Sequence, residues 1–334
     1  MSVTIKTIAE KAGVSKATVS YVINNKAGVG DETRKKVLKI INDLNYKPNS
    51  VARGLAGQST EMIGLIIPDI TDMFYADIIR GVELVANELD YTINLCTTHG
   101  EEAKEKKMLE YFSSGRVDGI ILMVYGIDNK LLAELKERRI PFVLIDYSQN
   151  QDQFCNIVID NYWGGYKAAE YLIGLNHKKI AYIHGIKDNI DDQKRFSGFK
   201  KAMTENDLTI NKKYIKYGAY NRQGGYQAAK ELLSRTDLPT AVFAANDQMA
   251  IGVINAIQKE GLSVPEDISV IGFDDIEASR LMSPGLTTIR QPTYEMGKLA
   301  AEKIFSELKD KENCNENINL KAKLVIRESC AELK

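Results

Sequence analysis

The chain has 334 residues, of which 44% are hydrophobic, and its formal net charge is −1. That length and apolar content allow a small module together with a large core, and no apolar run approaches the roughly 18 residues that a membrane span requires. The first residues lack the charged and then apolar pattern of a secretory signal, so we expect a cytoplasmic protein without a membrane segment.

Positive and negative charges are unevenly distributed along the chain. Residues 1–60 hold ten Lys and Arg against four Asp and Glu, whereas the remainder holds 34 against 41. A basic end on an acidic body indicates that phosphate binding is confined to the N-terminal module.

The cysteines and histidines show no metal-binding pattern. The four cysteines are scattered and form no CxxC pair, and none of the three histidines stands at ligand spacing from a cysteine. We therefore expect no metal and no cofactor, and we expect the cysteines to be reduced thiols rather than a disulfide scaffold.

The first predicted elements are two short helices joined by a tight turn, within residues 4–24. Gly13 can take the positive φ that such a turn needs, and Thr4 and Ser15 stand where helix N-caps belong. A small shared core is predicted from the apolar residues Ile8, Val14, Val19 and Val22. This shape places the second helix in the major groove of DNA, although any helical hairpin would show part of the pattern.

A third helix is predicted from Asp31 to Asn45. Its apolar stripe consists of Val37, Ile40, Ile41 and Leu44, and its basic face of Arg34, Lys35, Lys36 and Lys39. The stripe indicates packing on the first two helices, whereas the basic face would suit either phosphate or water.

Residues 46–57 predict a short conditional helix. Pro48 ends the third helix and Asn49 can cap a new one, which is only about two turns long and contains Gly54. Such a helix is marginal in water, because nucleation is costly and glycine costs about 1 kcal/mol relative to alanine. The segment is either a flexible linker or a hinge that orders on DNA.

From Met62 onward, strand-like apolar runs alternate with amphipathic helices. Several runs are apolar throughout, as is typical of parallel strands covered on both faces. The predicted strands are Met62–Pro68, Thr92–Thr97, Gly119–Val124, Phe142–Asp146, Ile157–Asp160, Lys179–His184, Ala241–Ala245, Ser269–Phe273, Thr287–Arg290 and Lys323–Arg327. This alternation predicts doubly wound α/β layers, and roughly 270 residues are enough for two similar lobes.

Four sequence motifs together resemble one known family. They are Ala17–Ser20 on the second helix, residues 46–55 at the hinge, the run Ala245–Ala250 and the run Val270–Asp275. Their order and spacing resemble the lactose-repressor (LacI/GalR) family of bacterial transcription regulators along essentially the whole chain.

The resemblance implies an α/β protein with an N-terminal three-helix helix-turn-helix headpiece. Its core is expected to be a two-lobed, doubly wound parallel-sheet body, similar to type I periplasmic binding proteins. The expected divisions are a headpiece at 1–47, a hinge helix and linker at 48–60, and an effector-binding and dimerisation domain at 61–334. Lobe 1 is expected at about 61–160 plus 292–322, and lobe 2 at about 161–291 plus 323–334.

By this resemblance, the second helix reads base edges. Lys16 can donate to guanine acceptors, whereas Tyr21 stands where many relatives carry Arg and cannot make the bidentate guanine contact. Leu55 is expected to pair with its twin in a second subunit and to wedge into the minor groove, unless it merely packs on the body. The full set of expected DNA contacts is Thr4, Ser15, Lys16, Ala17, Thr18, Ser20, Tyr21, Asn24, Asn49, Ala52, Arg53 and Leu55.

A ligand cleft is expected between the lobes, where polar residues follow predicted strands. By resemblance, the polar contacts are Asp146, Arg195, Asn246, Asp274 and Gln291, and the aromatic walls are Phe74 and Tyr220. Carboxylates, a guanidinium and amides suit the hydroxyl groups of a sugar. Each polar residue could instead be a loop cap or an interlobe ion pair, and Asp247 and Asp275 are interpreted as helix caps.

The function predicted from these features is a repressor of a sugar-utilisation operon. It would bind a palindromic double-stranded operator as a homodimer, and a small carbohydrate would control its affinity. Asp146 weighs against regulation by a phosphorylated carrier protein, while a purine effector stays open. No dinucleotide, P-loop or nucleophile-elbow motif is present, so an enzyme is not expected. An extracytoplasmic sugar-binding protein is the remaining alternative.

Overall fold

The computed structural model describes residues 3–23, 26–46, 59–149, 153–310 and 314–334. The chain divides into two compact units, Met1–Thr60 and Glu61–Lys334. Five of the expected DNA contacts lie outside the described residues: Asn24, Asn49, Ala52, Arg53 and Leu55. The hinge helix proposed from the sequence therefore stays a prediction.

The described part of the N-terminal unit contains three helices, α1 (Ile5–Ala12), α2 (Lys16–Ile23) and α3 (Asp31–Asp43). Thr4 and Thr7 form a reciprocal capping box, since each hydroxyl oxygen accepts from the other residue's backbone N–H. Gly13 ends α1 with a φ of 68°, as the turn requires. A small core packs the three helices together and consists of Ile8, Ala9, Ala12, Val19, Val22 and Val37.

The first sheet of the larger unit is parallel throughout and has the strand order β11-β5-β4-β3-β1-β2. Every residue of β3 and β4 is buried, because helices cover both faces of the sheet. The strands are β1 (Met62–Ile67), β2 (Thr92–Thr97), β3 (Gly119–Leu122), β4 (Phe142–Ile145), β5 (Asn156–Ile159) and β11 (Asn317–Leu320).

The second sheet has the order β12-β10-β9-β8-β6-β7 and is parallel except for β12, which runs antiparallel to β10. Its strands are β6 (Ile180–His184), β7 (Ile215–Tyr217), β8 (Ala241–Ala244), β9 (Ser269–Asp274), β10 (Thr287–Arg290) and β12 (Lys323–Val325). The predicted α/β class with two doubly wound sheets is therefore confirmed.

Nine α-helices connect and cover the strands of the described part of this unit. They are α4 (Met73–Glu88), α5 (Glu102–Ser113), α6 (Asn129–Glu137), α7 (Asn161–Gly174), α8 (Ile190–Glu205), α9 (Arg222–Leu233), α10 (Asp247–Lys259), α11 (Glu277–Leu281) and α12 (Thr293–Asp310). Helices α4 and α12 can approach closely because Gly81 and Gly297 have no Cβ. A Cβ at either position would overlap the backbone of the other helix. Within the described ranges, no helix has the length and apolar character that crossing a bilayer requires.

The chain passes between the two sheets three times. Strand β5 leads into α7, β10 leads into α12, and β11 leads into β12. We call the first sheet with α4–α6 and α12 lobe 1, and the second sheet with α7–α11 lobe 2. Strands β7 and β11 were not predicted, because both are short outer strands with polar residues and lack a continuous apolar run.

The expectation of four reduced cysteines is wrong for two of them. Cys155 and Cys314 form a disulfide, although they are 159 residues apart in sequence, while Cys96 and Cys330 are free. Because β5 pairs in parallel with β11, the residues that precede these two strands come together, and the Cα atoms of the two cysteines lie 4.9 Å apart. Sequence spacing alone does not reveal this pairing.

Candidate functional site

The exposed face of α2 forms the candidate DNA-reading surface of the N-terminal unit. Ser15, Lys16, Ala17 and Tyr21 are exposed, and the Tyr21 side chain is 46% accessible. Thr18 is half-buried, and its backbone N–H donates to the Ser15 hydroxyl, as expected for an N-cap. This face presents a hydroxyl, an ammonium, a methyl and a phenol side by side, the kinds of groups that read base edges.

Three of the expected DNA contacts also have a structural role in the headpiece. Thr4 is occupied in the α1 capping box, and the hydroxyls of Ser15 and Thr18 lie 2.9 Å apart. Ser20 is half-buried on α2. Lys26 adds positive charge beside the reading face, since its Nζ lies 5.9 Å from the centre of the Tyr21 ring.

A cleft of about 690 Å³ lies where the loops after the parallel strands of both lobes meet. Its position agrees with the rule that ligands of open α/β sheets bind beyond the carboxyl ends of the strands. The structure brings all seven expected effector residues to this cleft: Phe74, Asp146, Arg195, Tyr220, Asn246, Asp274 and Gln291.

Lobe 1 supplies Phe74 and Asp146. Phe74 lies in the first turn of α4, where its backbone N–H donates to the Asp72 carboxylate, the N-cap of that helix. Asp146 follows β4 with a φ of 51°, and its buried Oδ1 has no hydrogen-bond partner among the described residues. Burial and the nearby Asp191 raise the pKa of Asp146 to about 7. A ligand hydroxyl or N–H would satisfy this buried oxygen.

Arg195 is the buried cation of the cleft. It projects from α8, and its guanidinium donates from Nε to Asn161 Oδ1 at 2.7 Å and from Nη1 to the Ala245 carbonyl at 2.6 Å. The guanidinium carbon lies 3.7 Å from the centre of the Phe273 ring, a cation–π contact. These contacts hold the Arg195 guanidinium in one orientation before a ligand binds.

Asp274 and Gln291 form a hydrogen-bonded pair beside Arg195. The Gln291 amide donates to Asp274 Oδ1 at 2.7 Å, and Arg195 Nη1 lies 4.0 Å from the same oxygen. Burial raises the pKa of Asp274 well above its usual range, while the Arg195 charge opposes the shift. Gln291 is 3% exposed, and its Oε1 has no partner within the described parts of the chain. This pair therefore offers a second unsatisfied acceptor to a ligand.

Asn246 and Tyr220 are linked by a hydrogen bond. Asn246 caps α10, and its amide nitrogen donates to the Tyr220 carbonyl at 3.1 Å. The Tyr220 hydroxyl donates to Asn189 Oδ1 at 3.0 Å. Its ring lies so close to Gly185 that a Cβ there would overlap it. Tyr220 is therefore a preformed aromatic wall of the cleft.

Sequence reasoning missed a polar link between the two lobes. The Ser148 hydroxyl of lobe 1 donates to Asp191 Oδ1 of lobe 2 at 2.6 Å, and both residues line the cleft. The Asn161 amide donates to the same carboxylate oxygen at 3.2 Å. The acidic pair Asp191–Asp192 at the start of α8 was the available signal, but a helix start normally favours acidic residues for its dipole alone.

The interpretation of Asp247 and Asp275 as helix caps is wrong. Asp247 is fully buried and accepts from the hydroxyls of Ser279 and Thr288 and from the backbone N–H of Ile276, so it joins β10 to the start of α11. Asp275 forms ion pairs with Arg290 and Arg327. Neither carboxylate lines the cleft.

Comparison with known proteins identifies the family. A model described as "Bacterial regulatory proteins, lacI family" matches residues 4–49, and one described as "Periplasmic binding protein-like domain" matches residues 169–330. The transcriptional repressor PurR of Vibrio vulnificus is 39% identical over 331 residues, which is 99% of each chain. The chain belongs to the LacI family of bacterial regulatory proteins.

Two further similarities extend over almost the whole LacI-family chain. Catabolite control protein A of Priestia megaterium is 39% identical over 319 residues, covering 95% of this chain and 96% of its own. A structure of the lac repressor dimer bound to operator and the anti-inducer ONPF superposes with a TM-score of 0.85 at 29% identity, covering 99% and 100% of the two chains. This LacI-family protein is accordingly a DNA-binding transcriptional regulator.

The two candidate surfaces lie in parts of the chain that match different family models. The headpiece surface on α2 belongs to the part matched by the regulatory-protein model, and Arg195, Tyr220, Asn246, Asp274 and Gln291 belong to the binding-protein-like part. Among the described residues, no group of three or more His, Cys, Asp or Glu is arranged to hold a metal ion.

Proposed function

We propose that this protein is a cytoplasmic repressor of a sugar-utilisation operon and has no enzymatic activity. It binds a palindromic operator as a homodimer, and a small carbohydrate in the interlobe cleft controls that binding. The observation that carries the proposal is the set of oriented polar groups around the cleft, in which Asp146 and Gln291 still offer buried, unsatisfied acceptors.

A sugar matches the chemistry of this cleft. Adjacent hydroxyls can donate to the carboxylates of Asp146 and Asp274, and ring and hydroxyl oxygens can accept from Arg195. Phe74 and Tyr220 can cover the apolar C–H face of a sugar ring. All seven expected contact residues line the cleft, with members from both lobes, which supports the proposal.

A purine is the second candidate effector. The PurR relative resembles this chain over 99% of its length, and the N–H donors of a purine base would also suit the acceptors of Asp146 and Gln291. Regulation by a phosphorylated carrier protein is the less favoured alternative, because Asp146 supplies an acidic small-molecule contact.

The mechanism is a two-state dimer. In one state the paired hinges order on DNA and Leu55 of each subunit contacts the minor groove, and in the other state the hinges separate. A ligand shifts this balance only through its different affinities for the two states, and a hundredfold preference supplies about 2.7 kcal/mol. Palindromic half-sites match the twofold symmetry of the dimer.

The experiment that tests the proposal screens purified full-length protein by thermal shift against sugars and against purine bases and nucleosides. The best binder is then added to gel-retardation assays with DNA from upstream regions of the source genome. We expect a sugar to raise the melting temperature and to change operator affinity, and Asp274→Ala to abolish both effects. Stabilisation by a purine instead would overturn the sugar assignment, and failure to bind any palindrome would overturn the repressor assignment.

A further inference from the structure

The disulfide between Cys155 and Cys314 lies at the start of two interlobe connections. Cys155 immediately precedes β5, which leads through Asp160 into α7, and Cys314 lies shortly before β11, which leads into β12. The disulfide therefore joins two of the three segments that connect the lobes. It joins them at the ends that lie in lobe 1. Strand β11 lies at the edge of its sheet, so β5 is its strand partner there.

Besides the disulfide, polar contacts hold the beginning of β11, among them an ion pair of 3.5 Å between Lys303 and Glu316. The Asn156 backbone N–H donates to the Glu316 carbonyl at 3.0 Å, and the Asn156 amide donates to Asn317 Oδ1 at 3.0 Å. An edge strand that pairs on one side depends more strongly on such terminal contacts than a central strand does. The oxidation state of the two sulfurs should therefore change how firmly β11 is attached.

The surroundings of the cysteines favour thiol chemistry. A small cavity is lined by both cysteines together with Lys136 and Arg139. The Lys136 ammonium donates to Asn315 Oδ1 at 2.8 Å and to the Gln153 carbonyl at 3.4 Å, so it bridges the chain segments that carry the two cysteines. Positive charge beside a cysteine favours the thiolate, which is the nucleophile in disulfide exchange.

The two cysteines also differ in accessibility. Cys155 is 1% exposed, whereas Cys314 is half-buried. Reagents from solution would therefore reach Cys314 first, and Cys155 would act as the resolving thiol. Glu307 lines the same cavity, and its pKa is raised to about 7 by burial.

We propose that Cys155 and Cys314 are a reversible thiol–disulfide site whose oxidation fastens the β5 and β11 connections between the lobes. For oxidation, the Cys314 thiolate attacks a small disulfide such as oxidised glutathione, forms a mixed disulfide and releases one reduced thiol. The Cys155 thiolate then attacks the Cys314 sulfur, forms the intramolecular bond and releases the second reduced thiol. Two protein thiols are oxidised and one small disulfide is reduced.

A reversible role agrees with the cytoplasmic location proposed above, and it rests on that location. Disulfides in reducing compartments are usually transient or redox-sensing, whereas permanent ones belong mainly to oxidising compartments. The site is distinct from the cleft, since neither cysteine lines it. Its failure would leave the proposed effector and operator functions intact.

The test equilibrates full-length protein in reduced or oxidised glutathione and counts free thiols by alkylation and peptide mass spectrometry. We expect four free thiols in reduced buffer and two in oxidised buffer, with only Cys155 and Cys314 linked, and full recovery on return to reduced buffer. Hydrogen exchange of the β11 amides should be at least tenfold slower in the oxidised form.

Matched variants separate the site from general thiol effects. Cys314→Ser should exchange in both buffers like reduced wild type, while Cys96→Ser should respond to the buffer as wild type does. Because Cys314 is half-buried, its serine variant is expected to fold, and Cys155→Ala provides a second test of the same bond. A pair that does not oxidise, that cannot be reduced in the folded protein, or whose oxidation leaves β11 exchange unchanged would overturn the proposal.

Discussion

The two walls of the cleft differ in how completely their polar groups are satisfied. Lobe 2 presents Arg195, Asn246 and Asp274 already bonded to neighbours of the same lobe, and of its cleft residues Gln291 has one buried oxygen without a partner among the described residues. Lobe 1 presents Asp146, whose buried oxygen has no partner among the described residues, and Ser148, whose hydroxyl reaches across to lobe 2. Lobe 2 therefore resembles a preformed receptor, whereas lobe 1 carries the groups that can respond to a ligand.

This difference suggests that the two lobes contribute differently to ligand binding. Groups held before binding contribute affinity, because little ordering remains when the ligand arrives. Groups that change their hydrogen-bond partner or their charge on binding can shift the conformational equilibrium of the whole protein. The following predictions test this difference in order of expected effect.

The largest effect is expected for Arg195→Leu. The substitution keeps an apolar side chain against Phe273 but removes a buried, oriented cation. Hydrogen bonds to charged groups contribute about 1.5–3 kcal/mol each, so the loss of two bonds from the guanidinium to the ligand should weaken ligand binding at least about 100-fold. Calorimetry with the best sugar or purine from the screen measures the change.

Lys201→Leu on the same helix removes an exposed cation paired with Glu205 and should leave affinity unchanged. Equal losses in both variants would contradict a specific role for Arg195.

Asp146→Asn should weaken binding about tenfold and remove the part of its pH dependence that the Asp146 carboxyl causes. A ligand hydroxyl favours the ionised carboxylate, so wild-type affinity should rise by up to about tenfold per pH unit and level off above about pH 7. Titrations from pH 5 to 8 test this. A wild-type affinity that falls as the pH rises would show that the neutral acid binds the ligand.

The same variant has an opposite effect on stability. Because folding raises the pKa of Asp146, this group's contribution is present below about pH 4 and is lost as the pH rises to about 7. The neutral asparagine avoids that loss, so Asp146→Asn should melt about 2 °C or more above wild type at pH 8, where about 1 kcal/mol corresponds to 2–4 °C. Thermal denaturation of both proteins without ligand provides the measurement.

A smaller effect is expected for Ser148→Ala, which removes the hydrogen bond from lobe 1 to Asp191. One such bond contributes about 1 kcal/mol, so ligand affinity should change about fivefold. Ser197→Ala is the matched control, because its hydroxyl bonds within α8 to the Gln193 carbonyl. If both serine variants bind as wild type does, the interlobe bond does not contribute to closure.

The smallest effect on the cleft is expected for Thr4→Ala in the headpiece. Loss of the capping box should cost about 1 kcal/mol of helix stability and increase hydrogen exchange in α1. Ligand affinity should not change, because Thr4 belongs to the other compact unit. A measurable loss of ligand affinity would show that the headpiece and the cleft are coupled even without DNA.

Local patterns accounted for much of this protein. Thr4, Gly13 and Ser15 predicted the helix caps and turn of the headpiece, and the apolar runs predicted most central strands. Both kinds of signal are short in range, because capping and burial on both faces depend on neighbouring residues. The seven cleft residues were also identified in advance, although from a family resemblance rather than from spacing, and their contact with an effector is still a proposal.

Long-range pairing is what the linear pattern did not reveal. Cys155 meets Cys314, and Ser148 reaches Asp191, because chain segments far apart in sequence become neighbours only when the sheets and their connections assemble. Asp247 was misinterpreted for the same reason, since its partners Ser279 and Thr288 follow it by more than 30 residues.

By itself the sequence determined the helical headpiece, the α/β class, the uneven charge and the family, because these depend on residue type and local periodicity. Only the tertiary structure decided which carboxylates have hydrogen-bond partners and which one in the cleft has an oxygen without a partner among the described residues. It also decided which two cysteines form a disulfide. Those properties depend on desolvation and on distances of a few ångströms between remote segments, and neither exists before the chain has folded.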